Sequence, residues 1–332
     1  MTKRDWQRRI ETASFPPSLD EINRKIEERL TFFENRLRER GIYIICGAEQ
    51  KFLAHDNNEK PWKDWIEPET IKWCLRDLGV TLLEDVGCQD AQTGKYQITY
   101  RIPQKAGFPR SVSLAQELRK VREILPEKLC AMTKVSAISF QSSLDNSPDA
   151  TAGLHMNLSV CNAAGENLFY DSTLGGVAST LCRKAALELL ALQKDGLALY
   201  APDEASYRRF GSHEFAPSEL RIDHERSDGS IVLKSDVSKT PDSFRIEDRL
   251  AGASTYPYFP LLAGIGAIYM AVTNPKHSIN GESCAIIENP ELAIKNFEYS
   301  ALWKEIAGDD LHGDLVAYLK AQTQSRSANL PA

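Results

Sequence analysis

Apolar residues Leu19, Ile22, Ile26, Leu30, Phe33 and Leu37 recur near the 3.6-residue period, so the charged stretch 19–40 is expected to be an amphipathic helix. Asp20 and Glu21 near its start and arginines near its end suit the helix dipole, and Gly41 supplies a stop. The apolar run Ile42-Tyr43-Ile44-Ile45-Cys46 then reads as a strand leading into Gly47-Ala48-Glu49-Gln50-Lys51-Phe52-Leu53. A helix is expected around 68–78, followed by the apolar run Val80-Thr81-Leu82-Leu83-Glu84, a strand near 95–102 and a helix over 113–128. Ala137-Ile138-Ser139-Phe140 reads as a strand, 146–153 as a loop and Leu154 to Val160 as a second strand. An Ala/Leu-rich helix is expected over about 175–198, and the hydrophilic, Ser/Asp-rich stretch 223–243 reads as a surface loop or hairpin. Helices near 291–307 and 309–322 close the pattern, with a disordered tail expected over 323–332. With no internal repeat and no clean linker, residues 1–332 are expected to form one domain, 1–40 being a helical N-terminal extension.

At 332 residues the chain can bury a large core, and 42% hydrophobic with 26% charged residues is ordinary for a globular enzyme. A net charge of −6 argues against non-specific nucleic-acid binding, which needs a basic surface. No apolar run approaches the ~20 residues that span a bilayer, and Met1 to Trp6 lacks the apolar core of a signal peptide. The seven cysteines are scattered without a Cys-x-x-Cys pair, which reads as reduced thiols in a cytoplasmic protein.

The segment Phe244-Arg245-Ile246-Glu247-Asp248-Arg249-Leu250-Ala251-Gly252-Ala253 carries the sharpest chemical signal. In a strand, residues two apart share a face, so Arg245, Glu247 and Arg249 would point the same way. A metal-ligating carboxylate between two cations suits a site where an anionic phosphoryl group moves. The same spacing also fits an exposed ladder of surface ion pairs, which contributes little.

Several stretches together tilt the balance towards a site. Arg245 to Arg249 is followed by Gly252-Ala253-Ser254-Thr255-Tyr256-Pro257-Tyr258-Phe259 and the small-residue helix Leu261 to Ile268. This resembles the end of the catalytic domain of glutamine synthetases, where an Arg-x-Glu-x-Arg strand precedes a Gly-Ala/Ser-x-Asn-Pro-Tyr-Leu turn. Further landmarks run in the family's order from about Gly41 to Lys320. Gly47-Ala48-Glu49-Gln50-Lys51-Phe52-Leu53 is similar to the family's Gly-Pro-Glu-x-Glu-Phe-Phe strand, with Lys51 in place of its second carboxylate. Leu83-Glu84-Asp85 and Gly94-Lys95-Tyr96-Gln97-Ile98 resemble Glu-Val-x-x-Gly-Gln-x-Glu-Ile, with Gln97 in place of a glutamate. Gly153-Leu154-His155-Met156-Asn157-Leu158-Ser159 resembles the Gly-Met-His-x-x-x-Ser signature, while the family's Lys-Pro and Asn-Gly before it are Phe140-Gln141-Ser142 and Ala150-Thr151. Tyr207-Arg208-Arg209-Phe210 and Phe215-Ala216-Pro217 resemble Ser-Tyr-x-Arg-Leu and the later Ala-Pro turn, and the family's Trp-Gly-x-x-Asn-Arg has become Ile222 to Ser227.

The resemblance implies an α/β (α+β) fold: a curved, largely antiparallel sheet with flanking helices. It implies Glu49, His155 and Glu247 as ligands of one Mg2+ or Mn2+ on the ATP phosphates. Ser159, Arg245 and Arg226 fall near the nucleotide, and Arg209 and Arg249 near a substrate carboxylate. Lys51, Glu84 and Gln97 take the place of the second metal's carboxylates, so one metal is expected rather than two, with the Lys51 ammonium paired with Glu84. A glutamine oxygen is a far weaker magnesium ligand than a carboxylate. The family's N-terminal β-grasp domain finds no room before Gly41, so a monomer or small homo-oligomer is expected instead of a ring. The residues lost around Ala150 and Gln141 help hold the amino-acid end of glutamate in the family, so a different acid is expected. The functional expectation is an ATP-dependent ligase joining a small carboxylate to an amine. A catalytically inactive binding protein and a phosphotransferase that stops at the phosphorylated product are the alternatives.

Overall fold

In the computed structural model the chain is described over residues 17–55, 67–80, 87–89, 97–132, 137–140, 143–144, 147–174, 177–211, 216–224, 229–235, 240–274 and 282–327. The first helix, α1 (Leu19–Arg38), follows from the 3.6-period pattern: Ile22, Ile26, Leu30, Phe33 and Leu37 are all buried. The Ser18 side chain caps it by accepting from the Glu21 amide, and Gly41, at φ +71°, ends it in the left-handed region open to glycine. Strand β1 (Tyr43–His55) comes next, then α2 (Pro68–Asp77), β2 (Gly87–Gln89), β3 (Gln97–Ala106), α3 (Arg110–Met132) and β4 (Ala137–Ser139). The short hairpin of β5 (Ser143–Leu144) and β6 (Ser147–Thr151) leads into β7 (Leu154–Cys161). A small pair, β8 (Tyr170–Asp171) and β9 (Val177–Ala178), precedes α4 (Thr180–Tyr200) and α5 (Glu204–Arg209). β10 (Glu219–His224), β11 (Gly229–Lys234) and β12 (Arg245–Asp248) follow, then α6 (Tyr258–Thr273), β13 (Cys284–Ala285), α7 (Pro290–Tyr299), α8 (Ala301–Ala307) and α9 (Asp309–Ser327).

One sheet carries the architecture, in the order β13-β10-β11-β12-β7-β1-β3-β2, with β4 also paired to β1. Every pair is antiparallel except β10 with β11, so the fold is a largely antiparallel sheet with flanking helices. The all-apolar α6 is buried on every side, as a helix apolar all round must be. It lies between α4 and α1.

Four expectations change. α1 is no appendage: Asn23 donates to the Tyr256 hydroxyl at 2.9 Å, and Tyr258 donates to Glu27 at 2.6 Å. Arg29 donates to the Ile306 carbonyl at 2.8 Å, so the helix is built into the core. The stretch 223–243 holds β11, a buried strand between β10 and β12; its Ser230-Ile231-Val232-Leu233 run was hidden by polar neighbours in the composition. Part of 146–153 is strand β6 rather than loop, and α9 reaches Ser327, five residues into the expected tail.

Glu34 of α1 closes the N-terminus of α3. Its buried carboxylate accepts from the Arg110 amide at 3.0 Å, from the Ser111 amide at 2.8 Å and from the Ser111 hydroxyl. An anion there meets amides that have no partner within the helix. Glu34→Ala is expected to lower stability by about 3 kcal/mol, because charge-assisted bonds are lost and buried donors are orphaned. A denaturant titration reading the shift in midpoint checks this.

Candidate active site

The central strands set the imidazole between two carboxylates. Glu49 of β1 stands opposite His155 of β7, and Glu247 of β12 stands opposite Asn157, two residues further along β7 on the same face. His155 Nδ1 lies 3.8 Å from Glu49 Oε1 and 3.4 Å from Glu247 Oε1. Each carboxylate has its other oxygen held by a cation. Arg101 Nε donates to Glu49 Oε2 at 2.7 Å, and Lys234 Nζ donates to Glu247 Oε2 at 3.0 Å. Two carboxylate oxygens and one imidazole nitrogen are thus turned towards one another at the middle of the sheet.

The electrostatics suit a cation-binding role. Burial pushes the His155 imidazole down to about 4, against the pull of Glu247 and Glu49, so it is neutral at physiological pH and offers a lone pair. Burial opposes ionisation of Glu247, yet His155 and Lys234 outweigh it and hold the carboxyl well below its ordinary value. Glu49 is held low in the same way, burial being outweighed by His155, Lys51 and Arg101. His155 Nδ1 is buried and has no hydrogen-bond partner among the described residues, the kind of orphaned atom a bound cation would satisfy. Oxygen and imidazole donors of this kind fit Mg2+ or Mn2+. Among the described residues no group of three His, Cys, Asp or Glu side chains is already gathered as a ready metal site, so the three would draw inward on an ion.

The depressed histidine sets a pH dependence. An unfolded histidine takes up its proton near 6.5 and this folded one only near 4, so in that window the unfolded chain binds more protons and stability falls as pH falls. The metal-free protein is expected to lose about 3 kcal/mol from this group between pH 6.5 and 4, a loss missing from His155→Gln. Denaturation midpoints of both proteins across that range check it.

The other predicted site residues have definite places. Lys51 Nζ lies 3.7 Å from Glu49 Oε1, so the lysine pairs with Glu49; Glu84, its expected partner, lies outside the described residues, as does Arg226. Gln97 is opposite Leu53 in the β1–β3 register. Arg249 is buried and its amide donates to the Ser230 carbonyl at 2.9 Å. Arg209, at the end of α5, is also buried, and its two terminal nitrogens donate to the carbonyls of Leu250 and Arg249, both at 3.1 Å. It therefore fixes the segment after β12 and adds its charge there, where the resemblance implied direct contact with a substrate carboxylate. Arg245 donates to Asn157 Oδ1 and to the Ser243 carbonyl, both at 2.9 Å, on the face of Glu247. Ser159 is buried, its hydroxyl 2.9 Å from the Phe244 carbonyl and 3.1 Å from Asn167 Oδ1, so it ties β7 to the entry of β12 and does not face open space.

Three further residues belong to the site and escaped the sequence reading. Arg101 sits on the face of β3 that Gln97 marks, four residues on, and alternation alone would have found it. Lys234 depends on the β11–β12 register, which the sequence does not show. Arg122 of α3 donates to the carbonyls of Ser254, at 2.8 Å, and Thr255, clamping the turn after Arg249.

The sequence pattern of "Glutamine synthetase, catalytic domain" matches residues 144–298, which include His155, Arg209, Glu247 and Arg249. This stretch belongs to the glutamine synthetase catalytic-domain family. The chain is 30% identical over 125 residues to gamma-glutamylputrescine synthetase PuuA of Escherichia coli (strain K12), covering 38% of this chain and 25% of that protein. It is 28% identical over 165 residues to gamma-glutamylethanolamide synthetase GlnA4 of Streptomyces coelicolor, covering 47% and 34%. A glutamate–isopropylamine ligase of a Pseudomonas species is 25% identical over 142 residues, covering 42% and 30%. The matched stretches therefore span about a quarter to a third of these relatives. In fold the glutamine synthetase likeness covers nearly all of the chain. A crystal structure described as a novel glutamine synthase homolog superposes with a TM-score of 0.71 at 20% identity, over 92% of this chain and 72% of that one. Plasmodium falciparum glutamine synthetase superposes with a TM-score of 0.71 at 14% identity, over 94% and 77%.

Proposed function

We propose that this chain is an ATP- and magnesium-dependent carboxylate–amine ligase that forms an amide through an acyl phosphate and takes an acid other than free glutamate. The observation that carries it is the convergence of Glu49, His155 and Glu247 in the middle of a cation-rich sheet face. The relatives named above are, by their names, enzymes that join glutamate or a glutamyl group to amines, which supports the reaction class. Glu49, His155 and Glu247 would hold one divalent ion, which when bound neutralises phosphate charge. Arg249 faces the carboxylate, with Arg209 fixing its backbone, and Arg245 answers negative charge on the nucleotide. The carboxylate oxygen attacks the γ-phosphorus as the bond to the leaving ADP breaks. The amine nitrogen then attacks the acyl carbon, phosphate leaves and the nitrogen gives up a proton. Lys51 supplies a fixed positive charge beside Glu49, without the Lewis acidity of a second metal.

A second reading is favoured by Lys51 and Gln97, which leave few carboxylates for a second cation: an inactive relative that only binds nucleotide. Calorimetric titration of ATP into the protein, with and without magnesium, tests the proposal. Micromolar, magnesium-dependent binding, one manganese per chain by equilibrium dialysis and amine-dependent ADP release are expected. Binding without any ADP release would leave the inactive binder, a phosphorylated acid made without amine would indicate a phosphotransferase, and no ATP binding would overturn the reading.

A further inference from the structure

Lys234 stands between the proposed metal position and Arg245, the residue proposed to answer the charge of the nucleotide. It lies on β11 directly opposite Arg245 of β12, and its Nζ donates diagonally across the pair of strands to Glu247 Oε2 at 3.0 Å. Residues directly opposite in a sheet have Cβ atoms about 5 Å apart, so two cationic side chains rise next to each other at this end of the site. Each is held by another group. Arg245 donates to Asn157 Oδ1 and to the Ser243 carbonyl, and Lys234 is held by Glu247. The Lys234 side chain is 43% exposed and that of Glu247 only 7%, so the lysine is the end of this pair that can move. An ion pair with one exposed end is weak, and an ammonium on a flexible four-carbon stem can change partners without strain. The two oxygens of Glu247 also have different tasks. Oε1 lies 3.4 Å from His155 Nδ1, on the side of the proposed ion, while Oε2 holds Lys234. One carboxylate shared in this way cannot serve two cations fully, because like charges a few ångströms apart repel.

We propose that Lys234 is an exchanging phosphate ligand, which holds Glu247 in the unliganded protein and passes to a terminal phosphate oxygen of a nucleoside triphosphate when Glu247 turns to the metal. The proposal rests on the ligase reading for the metal and the nucleotide, and adds the residue that couples them. Without nucleotide, Lys234 competes with a divalent ion for the charge of Glu247. With a triphosphate beside Arg245, Lys234 gains a second anion to bond, and the competition ends. Metal and nucleotide therefore raise each other's affinity by one common factor, as linkage requires. The site then takes the metal together with the nucleotide in preference to the bare ion.

Lys234→Met in the full chain is the test, because two affinities should move in opposite directions. Mn2+ alone, followed by the electron paramagnetic resonance signal of the free ion, is expected to bind the variant at least about 5-fold more tightly, since Glu247 has lost its competing cation. ATP with magnesium, titrated calorimetrically, is expected to bind at least about 10-fold less tightly, the effect of one lost charge-assisted bond. Lys234→Arg keeps the charge and should bring ATP affinity back to within about 3-fold of wild type. Should the methionine variant fail to fold, Lys234→Gln, which keeps a neutral donor for Glu247, is expected to shift both affinities in the same directions. Weaker binding of Mn2+ and ATP together would show that Lys234 only supports the strand, and would overturn the proposal. Unchanged ATP affinity in the folded variant would overturn it as well. Both results leave magnesium-dependent ATP binding by the wild type standing; if the wild type binds no ATP, the ligase reading fails and the proposal falls with it.

Discussion

Glu247→Ala is expected to abolish magnesium-dependent ATP binding, weakening it by at least about 100-fold, since loss of groups that merely orient metal ligands already costs 10–100-fold. Glu247 touches both sides of the site, with Oε1 3.4 Å from His155 Nδ1 and Oε2 3.0 Å from Lys234 Nζ. Its removal takes away a proposed ligand and also frees Lys234, which would then compete for the site with its own positive charge. The fold should survive. His155 is neutral, and the Lys234 side chain, 43% exposed, can turn to water, so no buried charge is left without a partner. Calorimetry then separates binding from folding: an unchanged melting transition with lost ATP binding is the expected pair. Glu247→Gln keeps the shape but offers a neutral oxygen and should fall between wild type and alanine. ATP binding equal to wild type in the alanine variant would place the nucleotide elsewhere.

The legibility of this site from the sequence follows strand geometry. Arg245, Glu247 and Arg249 could be placed on one face because alternation within a strand is fixed by the backbone, and Glu247 and Arg245 do share contacts with β7 and β11. The helix at 19–38 was legible from its period, although nothing in that period showed that it packs into the core. What a side chain meets across a sheet depends on register, and register between β11 and β12 or β1 and β3 is not written in either strand alone. Hence Lys234 and Arg101 were invisible as partners of the two carboxylates. The sequence was silent where the backbone competes for donors: Arg209 and Ser159 bond main-chain carbonyls, which must be satisfied once buried. Lys51 was legible as an odd cation among expected carboxylates, and its contact with Glu49 follows from their two-residue spacing on β1.

Gly47→Ala should be the most damaging single-methyl change near the site. A Cβ at Gly47 would lie 2.6 Å from the Ile102 carbonyl oxygen, 2.7 Å from the Gln104 amide nitrogen and 2.8 Å from the Pro103 carbonyl carbon. All three are backbone atoms of β3, and no rotamer change relieves them. The β1–β3 register shifts between Cys46 and Ala48, so this is where the two strands approach most irregularly. β1 cannot back away, because Gly47 is also paired with Asn157 of β7 on its other side. Stability is expected to fall by about 3 kcal/mol, the upper end of overpacking costs. Glu49 lies two residues on, so the strand shift should also break its bond to Arg101 and weaken ATP binding by at least about 10-fold, the effect of about 1.4 kcal/mol at the site. Gly264→Ala on α6 is the control: its new methyl meets first the Leu158 side chain, which can rotate, and the cost should stay below that of Gly47→Ala. Denaturant midpoints and ATP titrations of the two variants decide the matter. If Gly47→Ala folds with wild-type stability and binds ATP unchanged, then β1 and β3 are not in the contact that aims Glu49, and the carboxylate is placed by something other than the close approach of these strands.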